Sequence, residues 1–89
     1  MIEIVWGPKF KRVYKRKLKH HPEIKQQLSD ALKLFVKDPF HPILKTHKLG
    51  GPLKGNYAFS LSYDLRVVFQ FLDQEVAFLE TIGTHDEVY

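Results

Sequence analysis

Cysteine is absent from the 89 residues. That excludes thiolate nucleophiles, cysteine-based zinc sites and the disulfide staples on which small secreted domains usually depend, and it predicts a reducing, cytoplasmic home. Nor does any apolar run approach the ~20 residues of a membrane-spanning helix, so no membrane association is expected. The opening MIEIVWGPKF lacks a basic stretch ahead of an apolar one, so no secretory leader is expected. There is no HExxH and no histidine pair at i, i+4, which argues against a metal site, and nothing calls for a cofactor. GGPLKG (Gly50–Gly55) misses the GxxxxGK[ST] spacing and reads as an inter-strand loop, from which Lys54 can reach a phosphate. No G-x-S-x-G is present either.

What is present suffices for one modest core. With a hydrophobic share of 44% and charged residues at 27%, the composition is that of an ordinary globular chain. A single domain spanning residues 1–89 is expected, burying roughly 60–65% of its unfolded surface. Charge is unevenly spread. Residues 1–54 carry thirteen Lys/Arg against four Asp/Glu, and residues 55–89 carry one against six. A basic front half is the electrostatic footprint of a chain that meets phosphates, although a lysine-rich helix is also simply well solvated.

The periodicity predicts a first strand over residues 1–5. Gly7-Pro8 then starts a helix over residues 8–19, with Phe10, Val13, Tyr14 and Leu18 on its apolar stripe. Seven of the eleven residues from Lys9 to Lys19 are cationic. His20-His21-Pro22 breaks the helix, and Ile24, Leu28, Ala31, Leu32 and Phe35 carry a second one to Val36 or Lys37. Asp38-Pro39 stops it, because the residue before a proline leaves helical geometry. The rest reads as strands at 43–48, 56–62, 65–72 and 75–82, after which Gly83 releases a short polar tail, THDEVY. The expected fold class is α+β: a single small domain of order β-α-α-β-β-β-β, with a helical hairpin packed on one face of a mainly antiparallel twisted sheet.

Polar residues interrupt the strand half. Alternation places Arg66, Val68 and Gln70 on the helix-free face, and Leu65, Val67, Phe69 and Phe71 on the other. An arginine at a strand start commonly pairs with a nearby acid, here Asp64 or Asp86. His47 shares a side with Lys45 by the same alternation, and His85 follows Gly83 at a turn. Histidine moves protons near neutrality, arginine stabilises phosphate charge and tyrosine stacks on bases. Two histidines around an arginine, with Tyr89 beyond, are the parts of a metal-free ribonuclease. Its substrate's ribose 2′-OH attacks the adjacent phosphorus while a base and an acid handle the protons.

The stretches HKLGGPLKGNYAFSLSYDLRVVFQF and FLETIGTHDEVY resemble the second half of the RelE/ParE toxin superfamily, nearest to its YafQ-like members. The likeness is most specific over residues 44–89; the helical half matches in layout. It rests on His47 before an L-x-G-x-x-x-G loop, Asp64 in a strand turn, Arg66, and the ending Gly83-Thr84-His85 through Tyr89. It implies a RelE-like fold and the toxin of a type II toxin-antitoxin system. Such a toxin is a ribosome-dependent mRNA endonuclease (an mRNA interferase) that cuts in the ribosomal A site and is neutralised by a cognate antitoxin. By the same likeness His85 is the general acid, His47 and Asp64 handle protons, Arg66 stabilises phosphate and Tyr89 contacts the base. The toxin alone is expected to be a monomer, and a hetero-oligomer with its antitoxin. Contacts to ribosomal RNA and mRNA fall to Lys9, Arg12, Lys15, Arg16, Lys19, Lys45, Lys48 and Lys54. The chain departs from the pattern at Thr81, where YafQ-type toxins carry an arginine, and at Leu65, where some carry tryptophan. A ParE-like gyrase inhibitor without nuclease activity and a degenerate toxin retaining only antitoxin binding are the alternatives.

Overall fold

The computed structural model describes all of residues 1–89. Strand β1 (Glu3–Trp6) runs into Gly7, whose extended backbone hands over to helix α1 (Pro8–His20) with proline at its first position. The cationic stripe of α1 contains six like-charge pairs at i, i+3 or i, i+4, each costing roughly 0.2–0.5 kcal/mol. Burial of its apolar stripe offsets this. Phe10 is fully buried, which alone contributes roughly 1.5–3 kcal/mol. Trp6, Phe10 and Tyr14 also form an aromatic cluster with centroids 5.2–5.9 Å apart. Burial of the Tyr14 phenol raises its pKa. Helix α2 (Ile24–Lys37) buries Ile24, Leu28 and Phe35 and stops at Asp38, as the following proline requires.

The remaining strands are β2 (His47–Lys48), β3 (Tyr57–Ser60), β4 (Leu65–Asp73) and β5 (Val76–Thr84), and a one-turn helix, α3 (His85–Val88), follows. The sheet order is β1-β5-β4-β3-β2, antiparallel except for β1, which lies parallel to β5. Both long helices pack on the face that carries Phe59, Val67, Phe69, Ala77, Leu79 and Ile82. Leu65 and Phe71 pack at the margin of that core, so the alternation expected for β4 holds. Val68, on the opposite face, is also buried, at 2% exposure, which makes the centre of β4 a strand covered on both sides. No helix is long and apolar enough to cross a membrane.

Two expectations change. Residues 43–48 are not a strand: Pro42–Leu44 form a 3-10 turn and only His47–Lys48 pair with β3. Pro42 presets the first turn position, and His41 Nδ1 accepts the Ile43 N–H at 3.2 Å. Lys45 then takes a left-handed conformation, φ 52°, so alternation does not relate it to His47. The second change concerns the tail. Gly83 and Thr84 stay in β5, paired with Arg66 and Leu65, and the polar residues after them coil into α3.

Candidate active site

Three residues from two distant parts of the chain meet at the sheet's edge. His47, on β2, approaches Tyr89, with the Tyr89 hydroxyl 3.5 Å from His47 Nε2. His85 and Tyr89 stand at i, i+4 along α3, their rings edge to face at 4.6 Å. His47 Nδ1 lies 3.0 Å from the Lys45 carbonyl. That oxygen only accepts, so Nδ1 carries a proton, and in the neutral ring Nε2 is left with its lone pair towards Tyr89. The left-handed turn at Lys45 is what aims the carbonyl. His85 Nδ1 sits 3.5 Å from Asp86 Oδ1 in full solvent.

Arg66 leaves β4 in the same row as Ser60 and Gly83. Its guanidinium makes no ion pair with Asp64 or Asp86. Instead, one terminal nitrogen donates to the carbonyls of Ser62, Tyr63 and Leu65 at 3.2–3.4 Å, folding back over the β3–β4 turn. The second terminal nitrogen is free for an anion. Burial raises the pKa of the Tyr89 phenol, and the charge of Arg66 acts on it in the opposite sense. Asp64 is exposed on the turn beside Tyr63, with no hydrogen bond or ion pair to the other four residues.

The helix that carries His85, with Tyr89 at its C-cap, is fastened through Glu87 to its own N-cap and to α1. Thr84 caps it, its hydroxyl accepting the Glu87 N–H while Glu87 Oε1 accepts the Thr84 N–H at 2.7 Å. The same carboxylate oxygen accepts Lys17 Nζ of α1 at 2.7 Å. These contacts hold the Glu87 pKa below its ordinary value, the Lys17 hydrogen bond being the largest cause and the Thr84 N–H the next. A side chain at Gly83 would put its Cβ 3.0 Å from Glu87 Cβ and Val88 Cγ1, so glycine there lets α3 lie directly on β5. Lys17 escapes sequence reading because it lies 70 positions from its partner, whereas Glu87 ends the T-x-x-E spacing of a capping box, a signal the sequence does carry.

Beside this cluster runs a groove of about 530 Å3. Lys9, Val13, Arg16 and Lys17 of α1 form one wall, Leu53 and Asn56 the other, and Val68, Gln70, Glu80 and Thr81 the floor. A smaller hollow of about 370 Å3, lined by His47, Pro52 and Tyr89, shares Leu53 and Val88 with it. The loop between them is hydrogen-bonded to itself through Leu53 N, Lys54 N and Asn56 N. Glycine at 51 and 55 meets the positive φ angles, 58° and 96°, that this loop requires. All eight expected RNA-contacting cations are exposed. Lys9 and Arg16 face the groove, whereas Lys48 pairs with Tyr57 and so points to the opposite side of the sheet from His47. Thr81 occupies the groove floor across from Val68. No three histidine, aspartate or glutamate side chains converge to hold a metal ion.

Residues 2–89 match the family described as "Bacterial toxin of type II toxin-antitoxin system, YafQ". Sequence comparison with curated proteins finds no match. Among solved structures the chain resembles YafQ from Escherichia coli strain BL21(DE3), with a TM-score of 0.82 at 20% identity, covering 100% of this chain and 99% of that one. YafQ in the E. coli DinJ-YafQ complex superposes with a TM-score of 0.80 at 20% identity, over 100% and 99% of the chains. A metal-bound toxin from Helicobacter pylori gives 0.81 at 31% identity, over the whole of both chains. With 88 of its 89 positions inside the family match and the same α+β fold throughout, this chain belongs to the YafQ family of type II toxin-antitoxin toxins.

Proposed function

We propose that the chain is a ribosome-dependent mRNA endonuclease that cleaves mRNA in the ribosomal A site and is neutralised by a cognate antitoxin. The observation that carries this reading is the meeting of His47, His85 and Tyr89 beside Arg66. In the neutral ring, whose proton sits on Nδ1 towards the Lys45 carbonyl, His47 Nε2 takes the proton of a ribose 2′-OH. The 2′-oxygen attacks the adjacent phosphorus, and the bond to the leaving 5′-oxygen breaks as His85 protonates it. The products are a 2′,3′-cyclic phosphate and a 5′-hydroxyl, and the hydroxyl nucleophile belongs to the substrate itself. Arg66 offers its free terminal nitrogen to the phosphorane, and Tyr89 stacks on a neighbouring base. Asp64 stands free, so its part in proton transfer requires bound RNA to close the turn onto the site.

The exposed cations Lys9, Arg12, Lys15, Arg16, Lys19, Lys45 and Lys54 suit ribosomal RNA, and association should weaken steeply with salt. An apolar hollow lined by Trp6, Tyr14, Leu28, Leu32 and Val36 and flanked by Lys25 and Lys33 suits an acidic antitoxin segment that folds on binding. The DinJ-YafQ complex of E. coli supports a protein partner.

Primer extension on an mRNA translated in vitro tests the reading, using wild type, His47→Ala and His85→Ala, each with and without ribosomes. Cuts within the occupied codon should need ribosomes and fall by about 10²-fold or more in either variant. Growth arrest without RNA cutting would favour gyrase inhibition. Neither arrest nor cutting, with antitoxin binding intact, would favour a degenerate toxin, a reading that Thr81 alone supports.

A further inference from the structure

A carboxylate stands on the floor of the α1 groove where phosphate binding alone would exclude one. Glu80 is the extra residue of a β-bulge: Val68 pairs with Thr81 and Phe69 with Leu79, so Glu80 has no partner across the sheet. The bulge turns Glu80 and Thr81 to the same side, into the groove. Glu80 forms no ion pair with Lys9 or Arg16, although both line the same cavity. Its partner is neutral: Gln70 Nε2 donates to Glu80 Oε1 at 2.8 Å. The Gln70 amide thus turns its nitrogen to the carboxylate, and the remaining lone pairs of the Glu80 carboxylate leave it further acceptor capacity. On the facing wall, the Asn56 amide nitrogen donates to the Leu53 carbonyl at 3.3 Å, so its Oδ1 is held as an acceptor. That oxygen is buried and has no donor. The groove therefore offers a carboxylate acceptor at its base and cations along its α1 rim.

We propose that this groove reads a guanine of the RNA strand next to the cleaved bond; that the strand is the substrate rests on the ribonuclease reading above. Guanine is the base whose Watson–Crick edge presents two adjacent donors, N1–H and N2–H, and these match the two oxygens of a carboxylate. Adenine and cytosine place a ring-nitrogen acceptor beside their amino group, and uracil flanks its single N–H with carbonyls, so each sets a lone pair against Glu80. Lys9 and Arg16, which line the same groove, take the flanking phosphates. The volume of about 530 Å3 falls within the range of small-ligand sites. The location fits as well. Val68 and Thr81 lie in the same sheet row as His47, so the groove begins two strand spacings, about 10 Å, from the histidine.

The test is binding of 5′-GMP, AMP, CMP and UMP to the free protein at fixed salt, by calorimetry and by amide shift mapping, repeated with the single-stranded RNAs AAGA and AAAA. GMP and AAGA should bind about tenfold or more tighter than their adenine counterparts, the scale of a bidentate base contact. Shifts should centre on Asn56, Gln70, Glu80 and Thr81. Glu80→Gln keeps the size of the side chain and should abolish the preference while leaving the salt-dependent, base-independent affinity. The mapping on wild type stands even if that variant folds poorly. Equal binding of the four nucleotides, a preference that survives Glu80→Gln, or a preference for GMP without one for AAGA would overturn the inference. The first two of these leave the ribonuclease reading untouched. Guanine selectivity in a protein that cuts no RNA would uphold the base site and overturn only the ribonuclease reading.

Discussion

Replacing Glu87 by alanine should loosen α3 without unfolding the sheet. The variant loses the hydrogen bonds from Lys17 Nζ and the Thr84 N–H, each 2.7 Å long. The Glu87 side chain is 53% exposed and that of Lys17 20%, so solvent screens the pair, which contributes at the upper part of about 0.2–1 kcal/mol. The lost half of the capping box adds about 0.5–1 kcal/mol. Together they come to about 1–2 kcal/mol, a factor of about 5–30 in a local equilibrium. The reporter is the Tyr89 N–H, bonded to the His85 carbonyl at 3.0 Å. Its hydrogen exchange, followed by NMR, should accelerate by about that factor, while amides of β4 such as Phe69 keep their protection. RNA cutting should fall with it, because His85 and Tyr89 ride on this turn. Unchanged Tyr89 exchange would refute the reasoning. So would equal acceleration of the Tyr89 and Phe69 amides, since α3 would then open only with the core.

The same carboxylate gives a pH dependence. Its folded pKa lies below the ordinary 4.5, so its stabilisation is complete above about that pH and is lost as pH falls through the folded value. Tyr89 exchange, corrected for intrinsic chemistry, should rise in that acid window in wild type and stay flat in Glu87→Gln. Arg66→Lys should cut cleavage by about 10²-fold with the fold retained, because an ammonium cannot hold the turn carbonyls and also present a planar fork to phosphate; single-turnover kinetics on ribosomes and a circular dichroism melt would check both halves. Phe69→Ala, at a fully buried site between Phe35 and Phe59, should cost about 3–5 kcal/mol in urea unfolding. That is a large share of the about 5–15 kcal/mol by which domains of this kind are stable.

Local signals in the sequence determined the two helices with their apolar stripes, the two long strands and the faces of the third and fourth strands. Helix stripes such as Phe10-Val13-Tyr14-Leu18, the Gly7-Pro8 and Asp38-Pro39 stops, and the alternation through Leu65–Phe71 report chemistry within one or two turns of the chain. His47, Arg66, His85 and Tyr89 stood out as candidates by residue type and by family likeness, but that His47, His85 and Tyr89 meet is a fact of the tertiary structure. The tertiary structure alone decided the rest. Gly83 and Thr84 belong to β5 because Arg66 and Leu65 pair with them, a partnership that periodicity cannot read. The expected strand at 43–48 gave way to a turn at Pro42 and a left-handed Lys45, which in turn fixes the tautomer of His47. The Lys17–Glu87 tie joins residues 70 positions apart, and the bulge that turns Glu80 into the groove exists only in register with β4. The division has a physical cause. Secondary structure follows from steric and apolar patterns among near neighbours, whereas side-chain convergence, protonation and the shape of a groove depend on which distant segments the core brings together.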